Sequence, residues 1–389
     1  MLRSTDRIMT THAGALPRSA KLKDLIFARA AGKAYDASTL DAALRAEVAT
    51  AVKRQRDCGV DSVNDGEVSK TNFNNYCLER LAGFEIRPFV EGKSPEPLTI
   101  AARDMTRFRD YFTLGLSGFA RAERPKTQVF CTGPMKYTGH AALKADLTNF
   151  RAALDASGAA EAFLPANTPG TIEHWMFNEH YRTAEEFLAA IAECMRVEYQ
   201  AIVDAGFTLQ IDDPDLPDGW LMYPDMTVTA YRRYAALRIE ALNHALRGIP
   251  KDKVRLHVCW GSFHGPHHDD IPLREIIDLI FAVNAQSFSI EASNPAHAHE
   301  WNVFETAKLP DGAVLIPGVI GHCTDFIEHP ELVAERLVRY ARLVGRENVI
   351  AGTDCGLGNR VGHPEIAWAK LEAMAAGARI ATKQLWGRA

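Results

Sequence analysis

The sequence predicts an α/β protein, a (β/α)8 TIM barrel with insertions formed by residues 1–389 as a single catalytic unit. Three observations point there. Short β-type runs alternate with longer helical patterns, the rhythm of βα units around a parallel sheet. Nine strand candidates suit a closed eight-stranded barrel with one false or extra strand better than an open sheet. Polar, chemistry-bearing residues recur where each strand ends, which is where parallel barrels build their sites. A doubly wound open sheet has the same rhythm, since periodicity does not report closure.

In chain order the strand candidates are Ile8–Gly14, Asp61–Asp65, Gln128–Thr132, Ala162–Ala166, Thr208–Asp212, Arg255–Cys259, Ser287–Glu291, Val314–Val319 and Val349–Thr353. Ala162–Ala166 is the weakest, because Pro165 sits inside it and Pro169 follows. Between strands, Thr39 to Asp57 carries apolar residues at Leu40, Ala43, Leu44, Val48 and Val52, a helical stripe closed by Gly59. Thr183 with Glu186 is a capping-box pattern opening a helix to Ala205. Pro330 to Val344 and Pro364 to Ala376 each begin with proline, which suits a first helical turn. Residues 84–126 show no clean period and read as an insertion or lid, with Arg87, Arg103, Arg107, Arg109, Arg121 and Arg124 along it.

Composition excludes several function classes. The chain has 44 Lys plus Arg against 49 Asp plus Glu, a net charge of −5, which removes the usual electrostatic reason to expect nucleic acid or an anionic membrane as partner. No apolar run approaches the roughly 20 residues of a membrane helix. The first residues lack the apolar core of a secretory signal, so a cytoplasmic protein is expected. Seven cysteines without a signal peptide argue for free thiols over a disulfide framework. The composition is compatible with a homo-oligomer.

The polar strand ends are His12, Asp65 and Glu67, Thr132, Asp212 and Asp213, His257 and Cys259, Glu291, His322 and Cys323, and Asp354 and Cys355. Each is weak alone, because turns after strands favour Asp, Gly and Thr for backbone reasons. His257-Val258-Cys259 carries more, since residues two apart on a strand face the same way. With Glu291 and Cys355 it offers one imidazole, two thiolates and a carboxylate, a sensible tetrahedral Zn2+ set. The same residues also fit ordinary buried cysteines and a satisfied core histidine.

Several blocks resemble one family. His257-Val258-Cys259, Ser289-Ile290-Glu291 and Asp354-Cys355-Gly356-Leu357, in that order, resemble the zinc-binding C-terminal barrel of cobalamin-independent methionine synthase. Thr10 to Pro17, Asp65-Gly66-Glu67, Thr132-Gly133-Pro134, Ile211-Asp212-Asp213-Pro214 and Pro317-Gly318-Val319 are similar to further blocks of it, so the likeness runs from Thr10 to Gly377. The resemblance implies a barrel of the methionine synthase and uroporphyrinogen decarboxylase type, with Zn2+ held by His257, Cys259, Glu291 and Cys355. It implies a zinc-dependent alkyltransferase, in which a metal-bound thiolate, from homocysteine or a related small thiol, takes a methyl or alkyl group from a donor. Glu67 and Asp212 would then hold the polar end of the acceptor.

His12 joins these as a substrate-binding candidate, and Trp220, Met222 and Trp260 as walls of a flat donor pocket or as loop packing. The family's proton-donor histidine aligns with Cys323, beside His322, which makes that pair the candidate acid. Full-length members carry a second, metal-free N-terminal barrel that helps bind polyglutamylated folate, and the resemblance covers only the other. A related single-barrel pattern is that of epoxyalkane:coenzyme M transferase, for which Arg18, Arg103 or Arg360 would meet a sulfonate. A zinc hydrolase using Glu67 or Asp212 as base is a third reading, disfavoured by two thiolates and a carboxylate on the metal. Residues 264–270, with His264, His267, His268, Asp269 and Asp270, read as a solvated, pH-sensitive loop over the mouth or as a second metal site.

Overall fold

A computed structural model describes residues 2–96, 98–113, 126–358 and 360–387. The strands are β1 (Met9–Thr10), β2 (Ser62–Val63), β3 (Leu81–Pro88), β4 (Thr127–Tyr137), β5 (Glu161–Asn167), β6 (Met176–Asn178), β7 (Thr208–Asp212), β8 (Val254–Val258), β9 (Ser287–Ile290), β10 (Val314–Ile320) and β11 (Ile350–Thr353). Eight of them form a parallel sheet in the order β1-β11-β10-β9-β8-β7-β5-β2. The ends of that order meet: Asp61 N–H donates to the Thr10 carbonyl at 3.0 Å, and the Thr11 hydroxyl donates to the Ser62 carbonyl at 3.1 Å. The sheet thus curls into the expected barrel.

The surplus strand is not the one the sequence marks as weakest. Ala162–Ala166 lies within β5, paired between β2 and β7, and is buried from Phe163 onward. Pro165 lacks a donor, but its carbonyl accepts from the buried Lys70 ammonium at 2.8 Å. Gln128–Thr132 is instead part of β4, which pairs antiparallel with β3 and parallel with β6 in a separate three-stranded sheet. Its burial alternates along the strand, the mark of a sheet covered on one face, whereas β7, β8, β9, β10 and β11 are buried throughout. Thr132-Gly133-Pro134 therefore lies inside this side sheet and not at a barrel-strand end. Within residues 84–126 the described part holds most of β3 and two short helices, Ala102–Arg107 and Arg109–Thr113. Arg121 and Arg124 lie outside the described residues.

The helices follow their sequence signals with small shifts. The stripe helix runs Ala37–Asp57, capped by the Asp36 carboxylate on Ser38 and Thr39 N–H, and it buries Leu40, Leu44, Val48 and Val52. Thr183 caps Ala184–Asp204 through its hydroxyl. The helix opened by Pro364 does not stop at Ala376 but continues to Trp386, an alanine-rich stretch with no strong breaker besides Gly377. No helix is long and apolar enough to cross a membrane, among the described residues. All seven cysteines are free thiols.

Inside the barrel, polar side chains are bonded to one another. Arg255 donates to the Thr11 hydroxyl at 2.9 Å and the His12 carbonyl at 2.8 Å, and its guanidinium lies over Phe163. Burial lowers Arg255 to about 10. Asp65, past the end of β2, is buried, and burial raises its carboxyl to about 7, with Asp146 adding to the effect.

Two predictions follow from this packing. A Cβ on Gly318 would stand 2.0 Å from Asp354 Oδ1 and 2.7 Å from Asp354 Cα, so β10 and β11 approach too closely there for any side chain. Gly318→Ala is expected to cost about 3 kcal/mol in urea unfolding; a change within about 0.5 kcal/mol contradicts the close approach. Asp65 titrates from 3.8 unfolded to about 7 folded, so between these values the native chain keeps a proton that the unfolded chain has lost. Stability therefore falls as pH rises through that window, by up to about 1.4 kcal/mol per unit. Asp65→Asn is expected to flatten the profile there, and an unchanged slope contradicts the assignment.

Candidate active site

The C-terminal ends of the barrel strands border a cavity of about 420 Å3. Strand β8 delivers His257 and, one residue past its end, Cys259; the turn after β11 delivers Cys355. The ligand-type atoms of these three lie within 4.8 Å of one another, and the two sulfurs are 3.8 Å apart. That spacing is too long for a disulfide, but two Zn–S bonds of about 2.3 Å at a tetrahedral angle separate their sulfurs by about 3.8 Å.

The imidazole is oriented for the same task. Its Nδ1 is 3.2 Å from the Ser289 hydroxyl, while its buried Nε2 has no hydrogen-bond partner. A ring held at one nitrogen with the other free is the arrangement of a metal-binding histidine. The Cys259 thiol donates to the Cys355 sulfur. The Cys259 S–H donated to Cys355 holds the Cys355 thiol well below its ordinary range and raises Cys259 above it. Burial alone would lower His257, but the Cys355 thiolate outweighs it and the ring stands above its ordinary value. These donors fit a soft or borderline divalent ion.

Glu291 is not gathered into that trio. It forms a neighbouring group with His322 and Asp354, and both its oxygens are engaged, Oε2 by Trp260 N–H and Oε1 by the Asn294 amide, each at 2.8 Å. The Cys323 sulfur is 3.2 Å from His322 Nε2, and neither residue is on the cavity wall. Burial raises Cys323 well above a normal thiol, so it is a poor acid near neutrality.

Glu67 and Asp212 both face the cavity. Glu67 has left-handed backbone, φ 53°, and its Oε1 lies where a Cβ on Gly14 would be, 2.2 Å away. A side chain at 14 would push this carboxylate from its present position. Its Oε2 pairs with Lys70 at 3.0 Å. Asp212 accepts from the Gln210 amide at 2.7 Å, and burial raises it to about 7. Asp213 is buried away from the cavity against the Thr168 hydroxyl.

Other sequence candidates fall elsewhere. His12 is a core residue: Gly14 N–H reaches its Nδ1, its Nε2 meets Gln55 at 2.7 Å, and burial lowers the ring to about 4. Trp220 donates to the Asp269 carbonyl beneath Arg103, and Trp260 donates to the Ile271 carbonyl while stacked on His297. Neither they nor the buried Met222 line the cavity, whose aromatic wall is Phe73 and Trp175. Arg103 is spent on the carbonyls of Trp220, Tyr223 and Met226, whereas Arg18 and Arg360 reach the cavity.

Among the cavity residues that the sequence reading missed, besides Phe73 and Trp175, three are polar groups close to the predicted ones. Lys70 was signalled by its position three residues after Glu67 in a turn, and Ser262, 3.5 Å from Cys355 Sγ, by its nearness to Cys259. Asp218 carries a buried Oδ1 with no partner, and burial raises its carboxyl well above the usual range. Nothing in its local sequence marks it.

The model of the family described as cobalamin-independent synthase, catalytic domain, matches residues 109–379. A methionine synthase of Sulfolobus acidocaldarius is 25% identical over 379 residues, covering 97% of this chain and 93% of the relative. A 5-methyltetrahydropteroyltriglutamate–homocysteine methyltransferase of Vibrio parahaemolyticus is 25% identical over 384 residues, but the match spans only 42% of that longer protein. Among solved structures, a B12-independent methionine synthase from Shewanella sp. W3-18-1, in complex with selenomethionine, superposes with a TM-score of 0.74 at 19% identity. That match covers 98% of this chain and all of the other, and it establishes the shared barrel fold. By the extent of the family match, carried on a barrel whose mouth holds the His257, Cys259 and Cys355 trio, this chain belongs to the cobalamin-independent synthase catalytic-domain family.

Proposed function

We propose that the chain transfers a methyl group to a small thiol of the homocysteine type, with Zn2+ bound by His257, Cys259 and Cys355 and with Glu291 as the adjoining carboxylate. The observation that carries this reading is the sulfur pair 3.8 Å apart beside an unpartnered imidazole nitrogen, opening on a cavity that also presents the Glu67 and Asp212 carboxylates. Bound zinc supplies the positive charge that keeps a coordinated thiol ionised at neutral pH.

The chain's own residues do the remaining work. Ser289 fixes the His257 ring, and the Trp260 N–H and Asn294 amide fix Glu291 beside the site. Glu67, steadied by Lys70 and admitted by Gly14, and Asp212, steadied by Gln210, offer acceptors for an ammonium group at the polar end of the substrate. An approaching cation favours the ionised form that burial opposes at Asp212, so this carboxyl contributes most when the acceptor is positively charged. Phe73 and Trp175 give a donor a flat apolar surface.

The test is methionine formation from homocysteine and 5-methyltetrahydropteroyltriglutamate, the donor named for the Vibrio relative, with zinc-loaded protein. Cys355→Ser is expected to lower zinc affinity by at least about 100-fold and abolish turnover, while the circular dichroism of the barrel is retained. Asp212→Asn is expected to raise the KM for homocysteine about tenfold or more with zinc retained. Absence of methionine from the loaded wild type, or full zinc binding by Cys355→Ser, overturns the reading.

A further inference from the structure

We infer that the chain has a second site for a divalent transition-metal ion, formed by His267 Nδ1, His297 Nε2 and the Asp270 carboxylate. The three ligand-type atoms lie within 4.8 Å of one another, and both ring nitrogens are 2.8 Å from the same oxygen, Asp270 Oδ2. The residues come from separate stretches, the loop after β8 and the loop after β9, and their side chains are only 4 to 7% exposed. The expected solvated loop is thus anchored, with only His264 and His268 exposed.

Each ring is already held at its far nitrogen. His267 Nε2 is 3.1 Å from the Phe263 carbonyl, and His297 Nδ1 is 2.9 Å from Glu300 Oε2. An acceptor behind each imidazole fixes the tautomer in which the opposite nitrogen carries a lone pair, the usual support of a metal-bound histidine. Both lone pairs then face Asp270. The second Asp270 oxygen, Oδ1, is buried and has no partner. Without a metal, both rings must be imidazolium ions to satisfy these acceptors, placing two cations out of water, and that oxygen is still left unpaired. Two nitrogens and a carboxylate suit zinc, cobalt or iron and not calcium or magnesium. Metal bonds of about 2.0–2.1 Å at a tetrahedral angle require each nitrogen and the Asp270 oxygen to open from 2.8 Å by about half an ångström.

Such an ion would tie the two loops that flank the cysteine pair. Phe263 stacks on His267 at 4.1 Å between ring centres and Trp260 on His297 at 4.2 Å, and the Trp260 N–H donates to Glu291. The second site therefore braces the wall of the first without touching the cavity.

The test uses the full chain, freed of metal and titrated with Co2+ alone, with bound metal counted after desalting and read by absorption. Wild type is expected to bind about two equivalents, one with sulfur-to-cobalt charge transfer and one without. Asp270→Asn should lose the sulfur-free equivalent and keep the charge-transfer band. The double variant Cys259→Ser with Cys355→Ser should lose the band and keep the other equivalent. Should Asp270→Asn not fold, His267→Gln carries the same expectation. A wild type that binds no equivalent without the charge-transfer band, or an Asp270→Asn that keeps the sulfur-free equivalent, overturns the proposal and leaves an ion-pair network in its place.

Discussion

The contact on which this molecule depends is that between the Cys259 and Cys355 sulfurs. Their strands, β8 and β11, are separated in the sheet by β9 and β10. On a flat sheet three steps of about 4.8 Å place them about 14 Å apart. They meet at 3.8 Å because the sheet curls and both side chains lean over the mouth. Closure between Thr10 and Asp61 is thus a condition of the site's chemistry as well as of the fold. Groups from distant strands converge only when the ring is complete.

Convergence carries an electrostatic cost that the surroundings offset. Glu67, Asp212, Asp218, Glu291 and the sulfurs lie close together, and burial, with neighbouring negative charge adding to it, raises the Asp212 and Asp218 carboxyls. Lys70 neutralises Glu67, Gln210 and Trp260 N–H donate to Asp212 and Glu291, and Asp354 takes two backbone N–H groups and the Ser293 hydroxyl. Among the buried atoms left unpaired are His257 Nε2 and one oxygen each of Asp215 and Asp218. A buried polar atom without a partner is costly, so such atoms mark where an ion or a substrate belongs.

Much of this was legible in the sequence. The alternation of short β-type runs with helical patterns identified every barrel strand, and the two-residue spacing of His257 and Cys259, with Glu291 and Cys355 at later strand ends, pointed to a ligand set of which three residues are gathered. Gln128–Thr132 misled because a strand's partner is not written in its own residues; an antiparallel side sheet and a barrel strand differ only in what covers the second face. Glu291 was found, but its hydrogen bonds to Trp260 and Asn294, which draw it to the margin of the trio, depend on a loop conformation that spacing does not encode. His12, Trp220 and Trp260 occupy the expected ends yet turn into packing. Asp218 required the fold, since its helix reaches the cavity through tertiary placement alone.

The central claim is that both sulfurs bind one metal that accepts a third from the substrate. X-ray absorption of zinc-loaded protein tests it most directly. Two sulfur neighbours at about 2.3 Å are expected, with nitrogen or oxygen completing the shell, and three sulfurs once homocysteine is added. A zinc shell without sulfur, or a sulfur count that homocysteine leaves unchanged, would contradict it.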